Sequence, residues 1–163
     1  MAVVGAAKRY GQAAFAVAKD QNAVDQSDRD LTTLSEALSD PANMEFFESP
    51  AVSREAKVNA LERMLPDPNQ QLVRNLLMLL LERRRFHQIH DVVEQFKELA
   101  LADRGIAVAR VTTAVELTSE EEASVRDRLS QMLGKDIEIL PRVQPEIIGG
   151  IIAQVDDDLI DGS

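Results

Sequence analysis

Apolar residues recur every three or four positions over residues 3–104, which is the spacing of amphipathic helices. One face of the first such stretch, residues 3–19, carries Val3, Ala7, Tyr10, Ala14 and Val17. So many residues on and beside this face are alanine or glycine that the backbone of another helix can approach closely. The pattern predicts a first helix whose small-residue face is either a docking surface or a tight core.

Start and stop signals divide the rest of this region into five more helices, the second predicted over residues 28–39. The side chains placed to cap the second to fifth helices are Ser27, Asp40, Ser53 and Asp67. Prolines follow two of them, in the first-turn position that a helix tolerates. A run of three arginines, residues 83–85, ends the fifth helix with cations and predicted salt bridges, and Gly105 ends the sixth.

The fifth predicted helix is the most apolar segment of the chain. Its circumference is nearly covered by Leu72, Val73, Leu76, Leu77, Leu79, Leu80 and Leu81. A helix that is apolar all round is buried on all sides, or it keeps one face for a partner. The sequence is compatible with both arrangements.

After Gly105 the hydrophobic period changes from about 3.6 to about 2, which marks a domain boundary. Strands are predicted from Ile106, over residues 137–143 with Pro141 at an edge or bulge, and over residues 151–155. Between the first two, a helix opens with a Thr118 and Glu121 capping box and ends at Gly134. Its predicted inward residues are Val125, Leu129 and Met132. Residues 156–158, all aspartate, read as a turn, and residues 159–163 as the approach to a further element.

The predicted fold class is therefore mostly α: an N-terminal six-helix bundle, residues 1–104, followed by a small α/β C-terminal domain, residues 105–163. The net charge of −10 divides into −3 and −7 between these parts. This acidity disfavours nucleic acid as a partner. The longest apolar run, residues 76–81, is too short to insert across a membrane. The second part is small enough to be marginal alone, which predicts support from a partner.

Few residues suggest chemistry. His87 and His90 are spaced to share a helix face near Asp91 and Glu94, which keeps open the hypothesis of a small metal-dependent hydrolase. The chain has no cysteine, no nucleophile elbow and no phosphate-binding glycine loop, and the aspartate run lacks further ligands at the spacing of a cation site. We predict no catalytic residue, no metal and no cofactor.

Several segments together resemble one family. They are Lys8 to Phe15, Asn75 to Arg85, Glu94 to Phe96, Ile148 to Gly150 and Ile160 to Ser163. Their order and spacing are similar to the delta subunit of F-type ATP synthases, the bacterial counterpart of the mitochondrial oligomycin sensitivity conferral protein. The resemblance covers nearly the whole chain.

The resemblance implies a non-catalytic stator subunit that links the catalytic headpiece to the peripheral-stalk b subunits, so that rotation drives ATP synthesis. It implies that the first and fifth helices form a groove for the N-terminal helix of an alpha subunit. Residues at or under that groove would be Tyr10, Ala14, Phe15, Leu76, Leu79 and Leu80. The C-terminal domain would meet the b subunits and carries the family motif residues Gly149, Gly150, Asp161, Gly162 and Ser163.

The family continues beyond the Ile-Asp-Gly-Ser motif with a C-terminal helix, so the resemblance also predicts a truncated chain. Its first motif begins within ten residues of Met1, which leaves no room for a transit peptide. That favours the cytoplasmic face of a bacterial cell membrane as the location. The periodicities alone also allow an unrelated helical adaptor or regulatory module, which would not bind an alpha-subunit peptide.

Overall fold

The computed structural model describes residues 5–156 and 158–162, and the chain divides into two compact units, residues 1–100 and 101–163. The helices are α1 (Gly5–Asp20), α2 (Val24–Ala37), α3 (Pro41–Glu48), α4 (Arg54–Met64), α5 (Gln71–Glu82), α6 (Ile89–Asp103) and α7 (Ser119–Leu133). The strands are β1 (Ile106–Thr113), β2 (Asp136–Val143), β3 (Ile151–Val155) and β4 (Asp158–Asp161). The described chain is thus mostly helical, with a small four-stranded sheet toward its C-terminal end.

Three of the four predicted N-caps are confirmed by hydrogen bonds. The side chain of Asp40 accepts from the backbone N–H of Ala42 at 2.9 Å, and Ser53 Oγ accepts from that of Ala56 at 3.1 Å. Asp67 caps a short 3-10 helix, Pro68–Gln70, that leads into α5. Each cap satisfies a backbone donor that the first helical turn leaves without an internal acceptor.

The predicted start of the second helix is wrong. Asn22 ends α1 in the left-handed conformation, with φ 54°, and the N–H of Ala23 donates to the carbonyl of Ala18 at 2.8 Å. This tight turn lets α2 begin at Val24, so Ser27 is a buried residue inside the helix and not its cap. The earliest positions of the first predicted helix, Val3 and Val4, lie outside the described residues.

Large aromatic and aliphatic side chains fill the interior of the helical unit, residues 1–100. Phe96 is fully buried and meets Phe15 edge to face, with ring centroids 5.8 Å apart. Phe47 stacks on Phe86 with centroids 4.6 Å apart, which joins α3 to the 3-10 turn before α6. Aromatic pairs of this kind add to the free energy gained by burying their surface.

The sheet unit, residues 101–163, has strand order β2-β1-β3-β4. β1 and β2 run parallel and are joined through α7, whereas β1 with β3 and β3 with β4 are antiparallel. The predicted edge position of Pro141 is confirmed, because β2 is an outer strand. The buried core consists of Ala109, Val111, Leu129, Ile137, Ile139, Ala153 and Val155.

One prediction for the sheet unit is wrong, and one strand was not predicted. Met132 is 62% exposed, and Leu133 packs against the core in its place, because Val125, Leu129 and Leu133 recur every four residues on the face that meets the sheet. The segment after the aspartate run is itself a strand that the periodicity did not predict. It is β4, which pairs with β3 from Ile152 and Asp161 to Val155 and Asp158.

Candidate partner-binding site

The small residues of α1 face the interior of the helical unit. Ala7, Gly11, Ala14 and Ala18 are all buried. A Cβ atom placed on Gly11 would lie 2.7 Å from Cβ of Gln95 and 3.1 Å from the carbonyl oxygen of Val92, both on α6. Of the two arrangements that the sequence allowed, the small-residue stripe is therefore a tight core against the chain's own helix.

Two flanks of α1 lie on either side of that stripe. Tyr10 is half-buried and packs on the core, and Val17, seven residues further on the same flank, is 45% exposed. Phe15 lies on the opposite flank, where its ring meets Phe96. Among the predicted groove residues of α1, Tyr10 is thus available at the surface, Ala14 lies beneath it, and Phe15 packs toward α6.

α5 packs against α1 and buries half of its eight apolar residues. Its buried positions are Val73, Leu76, Leu77 and Leu80. Leu79 is 37% exposed, and Leu72, seven residues before it on the same flank, is half-buried. The apolar circumference is therefore explained by burial on one side and by an apolar flank at the surface. Of the predicted residues of α5, Leu79 can touch a partner directly, whereas Leu76 and Leu80 support the surface from beneath.

The structure brings the two separated motifs of the C-terminal region together. Gly149 and Gly150 precede β3 with φ 72° and 77°, a backbone conformation that favours glycine. Asp161 pairs with Ile152 at the end of β4, and the N–H of Gly162 donates to the carbonyl of Ile151 at 2.8 Å. The hairpin of β3 and β4 thus joins both glycine motifs at one end of the sheet. Ser163 lies outside the described residues.

The two histidines do not share a site. His87 Nδ1 lies 3.8 Å from Glu48 Oε1, and His90 Nδ1 lies 2.8 Å from the hydroxyl oxygen of Ser35 on α2. Asp156 of the aspartate run pairs with Lys135 at 3.4 Å, and Asp157 lies outside the described residues. Over residues 5–156 and 158–162, no group of three or more histidine, cysteine, aspartate or glutamate side chains is placed to hold a metal ion.

The arginines after α5 were expected to form salt bridges at the helix end, and this expectation is wrong for the described residues. The carboxylate of Glu82, the adjacent residue, is engaged by Arg54 Nη2 at 2.7 Å. Glu82 is therefore paired with a residue of α4. Within the described chain, residues 83–85 show no ion pair and no side-chain hydrogen bond.

A cavity of about 390 Å³ lies in the helical unit on α2 and the α4–α5 connection. Its lining residues are Asp30, Thr33, Leu34, Ala37, Met64, Leu65 and Gln70. Asp30 Oδ1 accepts from Gln26 Nε2 at 2.9 Å and from Gln70 Nε2 at 3.0 Å, which ties α2 to the start of α5. None of the six predicted groove residues lines this cavity, so the candidate partner surface is a pair of helix flanks.

No helix among the described residues is both long enough and apolar enough to cross a membrane. The described fold instead defines a two-part chain, a helical unit followed by a small mixed sheet. A chain of the cryo-EM structure of the Toxoplasma gondii mitochondrial ATP synthase hexamer has this fold, with a TM-score of 0.75 at 22% identity. That match covers 98% of this chain and 91% of the other.

Sequence comparisons then identify the family. The family model for the ATP synthase delta (OSCP) subunit matches residues 6–163. The ATP synthase subunit delta of Beijerinckia indica is 34% identical over 164 residues, which cover 99% of this chain and 86% of the relative. The ATP synthase subunit delta of Thermosynechococcus vestitus is 31% identical over 94% of this chain and 84% of its own length. That of Carboxydothermus hydrogenoformans is 30% identical over 100% of this chain and 92% of its own length.

The chain belongs to the ATP synthase delta (OSCP) subunit family. It is therefore a structural, non-catalytic subunit of an F-type ATP synthase, in the stator of that complex. Membership in this family excludes the unrelated helical adaptor and the metal-dependent hydrolase.

Proposed function

We propose that residues 1–104 form a six-helix bundle that binds the catalytic headpiece by docking the N-terminal helix of an alpha subunit along the adjacent flanks of α1 and α5. One observation carries this proposal. In the described part of the helical unit, Val17 and Leu79 are the two large apolar side chains that are exposed, and they belong to two helices that pack against each other. An amphipathic helix docks by laying its apolar face on such a surface.

The other predicted groove residues fit this role at different depths. Tyr10 is half-buried and borders the exposed Val17 on its flank; Leu72, which was not among the predicted residues, borders Leu79 in the same way. Ala14, Leu76 and Leu80 are buried and hold those flanks in place. Phe15 contributes through its edge contact with Phe96, which fixes α1 against α6.

The second part of the proposal concerns residues 105–163, which we assign to the peripheral-stalk b subunits. Exposed apolar side chains support a partner for this unit: Val115, Met132, Val143, Ile148 and Leu159. Its charge of −7 favours a partner surface that is basic. With the headpiece at one domain and the stalk at the other, the subunit holds the head static while the rotor turns, at the cytoplasmic face of a bacterial cell membrane.

Calorimetric titration with a synthetic peptide of an alpha-subunit N-terminus from the same organism tests the docking surface. One-to-one binding with a negative heat-capacity change is expected, because apolar surface is buried. Leu79→Asp should weaken binding at least about tenfold, since a carboxylate replaces an apolar contact at the interface.

Leu159→Asp is the matched control, because Leu159 is an exposed leucine of the sheet unit. It should leave peptide affinity unchanged. Circular dichroism checks that both variants keep their helix content. Equal affinities of the Leu79 variant and the wild-type chain would contradict the assignment of this flank.

A further inference from the structure

The residues after α5 form a cluster of three guanidinium groups in an acidic protein. The chain has a net charge of −10, yet residues 83–85 make no ion pair within the described residues. Glu82 is held by Arg54, and Glu48 lies beside His87. The positive charge of this cluster is therefore not paired with a carboxylate of the described residues.

The backbone at the middle arginine is unfavourable for an arginine. Arg84 has φ 55°, in the left-handed region, and its N–H donates to the carbonyl of Leu81 at 3.1 Å. The N–H of Arg85 donates to the carbonyl of Leu80 at 2.8 Å, which completes a Schellman motif at the end of α5. Glycine is the usual residue at this position, because a Cβ atom is disfavoured there.

Nothing in the described fold explains why an arginine takes that position, because its side chain is exposed and has no partner there. Backbone strain of this kind often occurs where a side chain has a functional role. Unpaired charge and strained backbone are independent observations, and both concern the same residue.

The cluster adjoins the candidate docking flank. The N–H of Arg83 donates to the carbonyl of Leu79 at 3.0 Å, so the two residues are one helical turn apart on the same side of α5. The flank therefore changes from apolar at Leu79 to cationic at Arg83, and Arg84 and Arg85 follow directly in the chain.

We propose that residues 83–85 bind carboxylate groups of the alpha-subunit N-terminal segment, at the end of its apolar contact with Leu79. This inference rests on the proposed docking surface and adds the chemistry that selects the partner: an amphipathic helix whose apolar stripe ends beside acidic side chains. Guanidinium groups bind carboxylates through paired N–H donors. Charges at the rim of an interface mainly set its association rate and salt dependence.

The test uses the full chain, the alpha-subunit peptide, and a second peptide in which each Asp and Glu is replaced by Asn and Gln. The double variant Arg83→Gln/Arg84→Gly should bind the first peptide about tenfold more weakly at low ionic strength and within about twofold of wild type at high ionic strength. The single variant Arg84→Gly should raise the melting temperature while it weakens binding about threefold.

Arg63→Gln/Asn22→Gly is the matched control. Arg63 is an exposed arginine in the last turn of α4, and Asn22 has the same left-handed backbone as Arg84, with φ 54°. Like the single variant Arg84→Gly, this control removes one arginine and places glycine at one left-handed position, whereas the double variant removes two arginines. Its affinity for the peptide should equal that of the wild-type chain.

The outcomes separate the two proposals. If the wild-type chain fails to bind the alpha-subunit peptide, the docking surface itself is wrong. If the wild-type chain binds the peptide, and neither the arginine substitutions nor the salt concentration alters its affinity, the carboxylate site is overturned and the docking surface is retained. The carboxylate site is supported if the uncharged peptide binds the wild-type chain and the double variant with equal affinity. That affinity should also be weaker than the affinity of the acidic peptide for the wild-type chain.

Discussion

The helical and sheet units differ in what fills their cores and in what they leave uncovered. All six aromatic residues of the chain lie before residue 97, whereas the core of the sheet unit is built from alanine, valine, leucine and isoleucine. Five of the seven large apolar side chains that are exposed in the described chain nevertheless belong to the sheet unit. The unit with the smaller side chains in its core is thus the one that leaves more apolar surface open.

This difference distinguishes two kinds of candidate partner surface. In the helical unit, burial is complete enough that the exposed Val17 and Leu79 mark a defined pair of helix flanks. In the sheet unit, the exposed apolar residues are distributed over α7, the end of β2, β4 and two loops. A small unit with scattered apolar surface gains stability from a partner that covers it.

The largest effect that would test this comparison is expected at the centre of the helical core. Phe96→Ala should lower the free energy of unfolding of the helical unit by about 3–5 kcal/mol, because it leaves a cavity where Phe15 and the other core residues now pack. Urea denaturation, monitored through the backbone amide signals of each unit, measures the loss of unfolding free energy. Leu129→Ala is the reference in the sheet core, and a larger loss there than at Phe96 would contradict the contrast between the cores.

An intermediate effect is expected where α1 approaches α6. Gly11→Ala should destabilise the helical unit by about 1–3 kcal/mol, because the new Cβ atom meets Cβ of Gln95 and a backbone carbonyl, neither of which can move freely. Gly5→Ala is the control, since a Cβ atom on Gly5 would meet nothing within 4 Å. Thermal unfolding of both variants measures the difference in stability between them. A stabilising Gly11→Ala would show that the two helices are less closely packed.

The smallest effect is expected at the start of α7. Thr118→Ala should cost the sheet unit about 1 kcal/mol, because the Thr118 hydroxyl accepts from the N–H of Glu121 at 3.2 Å in the capping box. Chemical denaturation monitored in the sheet unit measures this loss. Ser119→Ala, which alters an exposed hydroxyl next to the cap, should change stability less. Equal losses for both variants would contradict a specific capping role for Thr118.

Most element boundaries were predictable because they depend on short-range chemistry. Asp40, Ser53 and Thr118 accept the hydrogen bonds that their positions predicted, and Gly134 ends α7 with φ 65°. The errors occur where longer-range structure decides. Asn22 closes α1 in a turn that moves the start of α2, and β4 exists because it pairs with β3.

The residues of the candidate site could be named from the sequence, but which of them are exposed to a partner could not be predicted. The family resemblance named residues of two helices, and periodicity placed Val17 on the same flank as Tyr10 without marking it as a contact. Helical periodicity orders residues around an axis, but it does not say which side faces the core. For that reason it could not separate Leu79, which is exposed, from Leu80, which is fully buried.

The sequence by itself determined most of the helix and strand content, the change from helical to strand periodicity after Gly105, the family and the absence of cysteine chemistry, because these depend on composition, local periodicity and motif spacing. The tertiary structure decided that the alanine and glycine stripe of α1 is core and that the two glycine motifs meet at one end of the sheet. It also decided that the three arginines have no partner among residues 5–156 and 158–162. Each of these depends on which distant residues come within a few ångströms of each other, and spacing along the chain does not encode that distance.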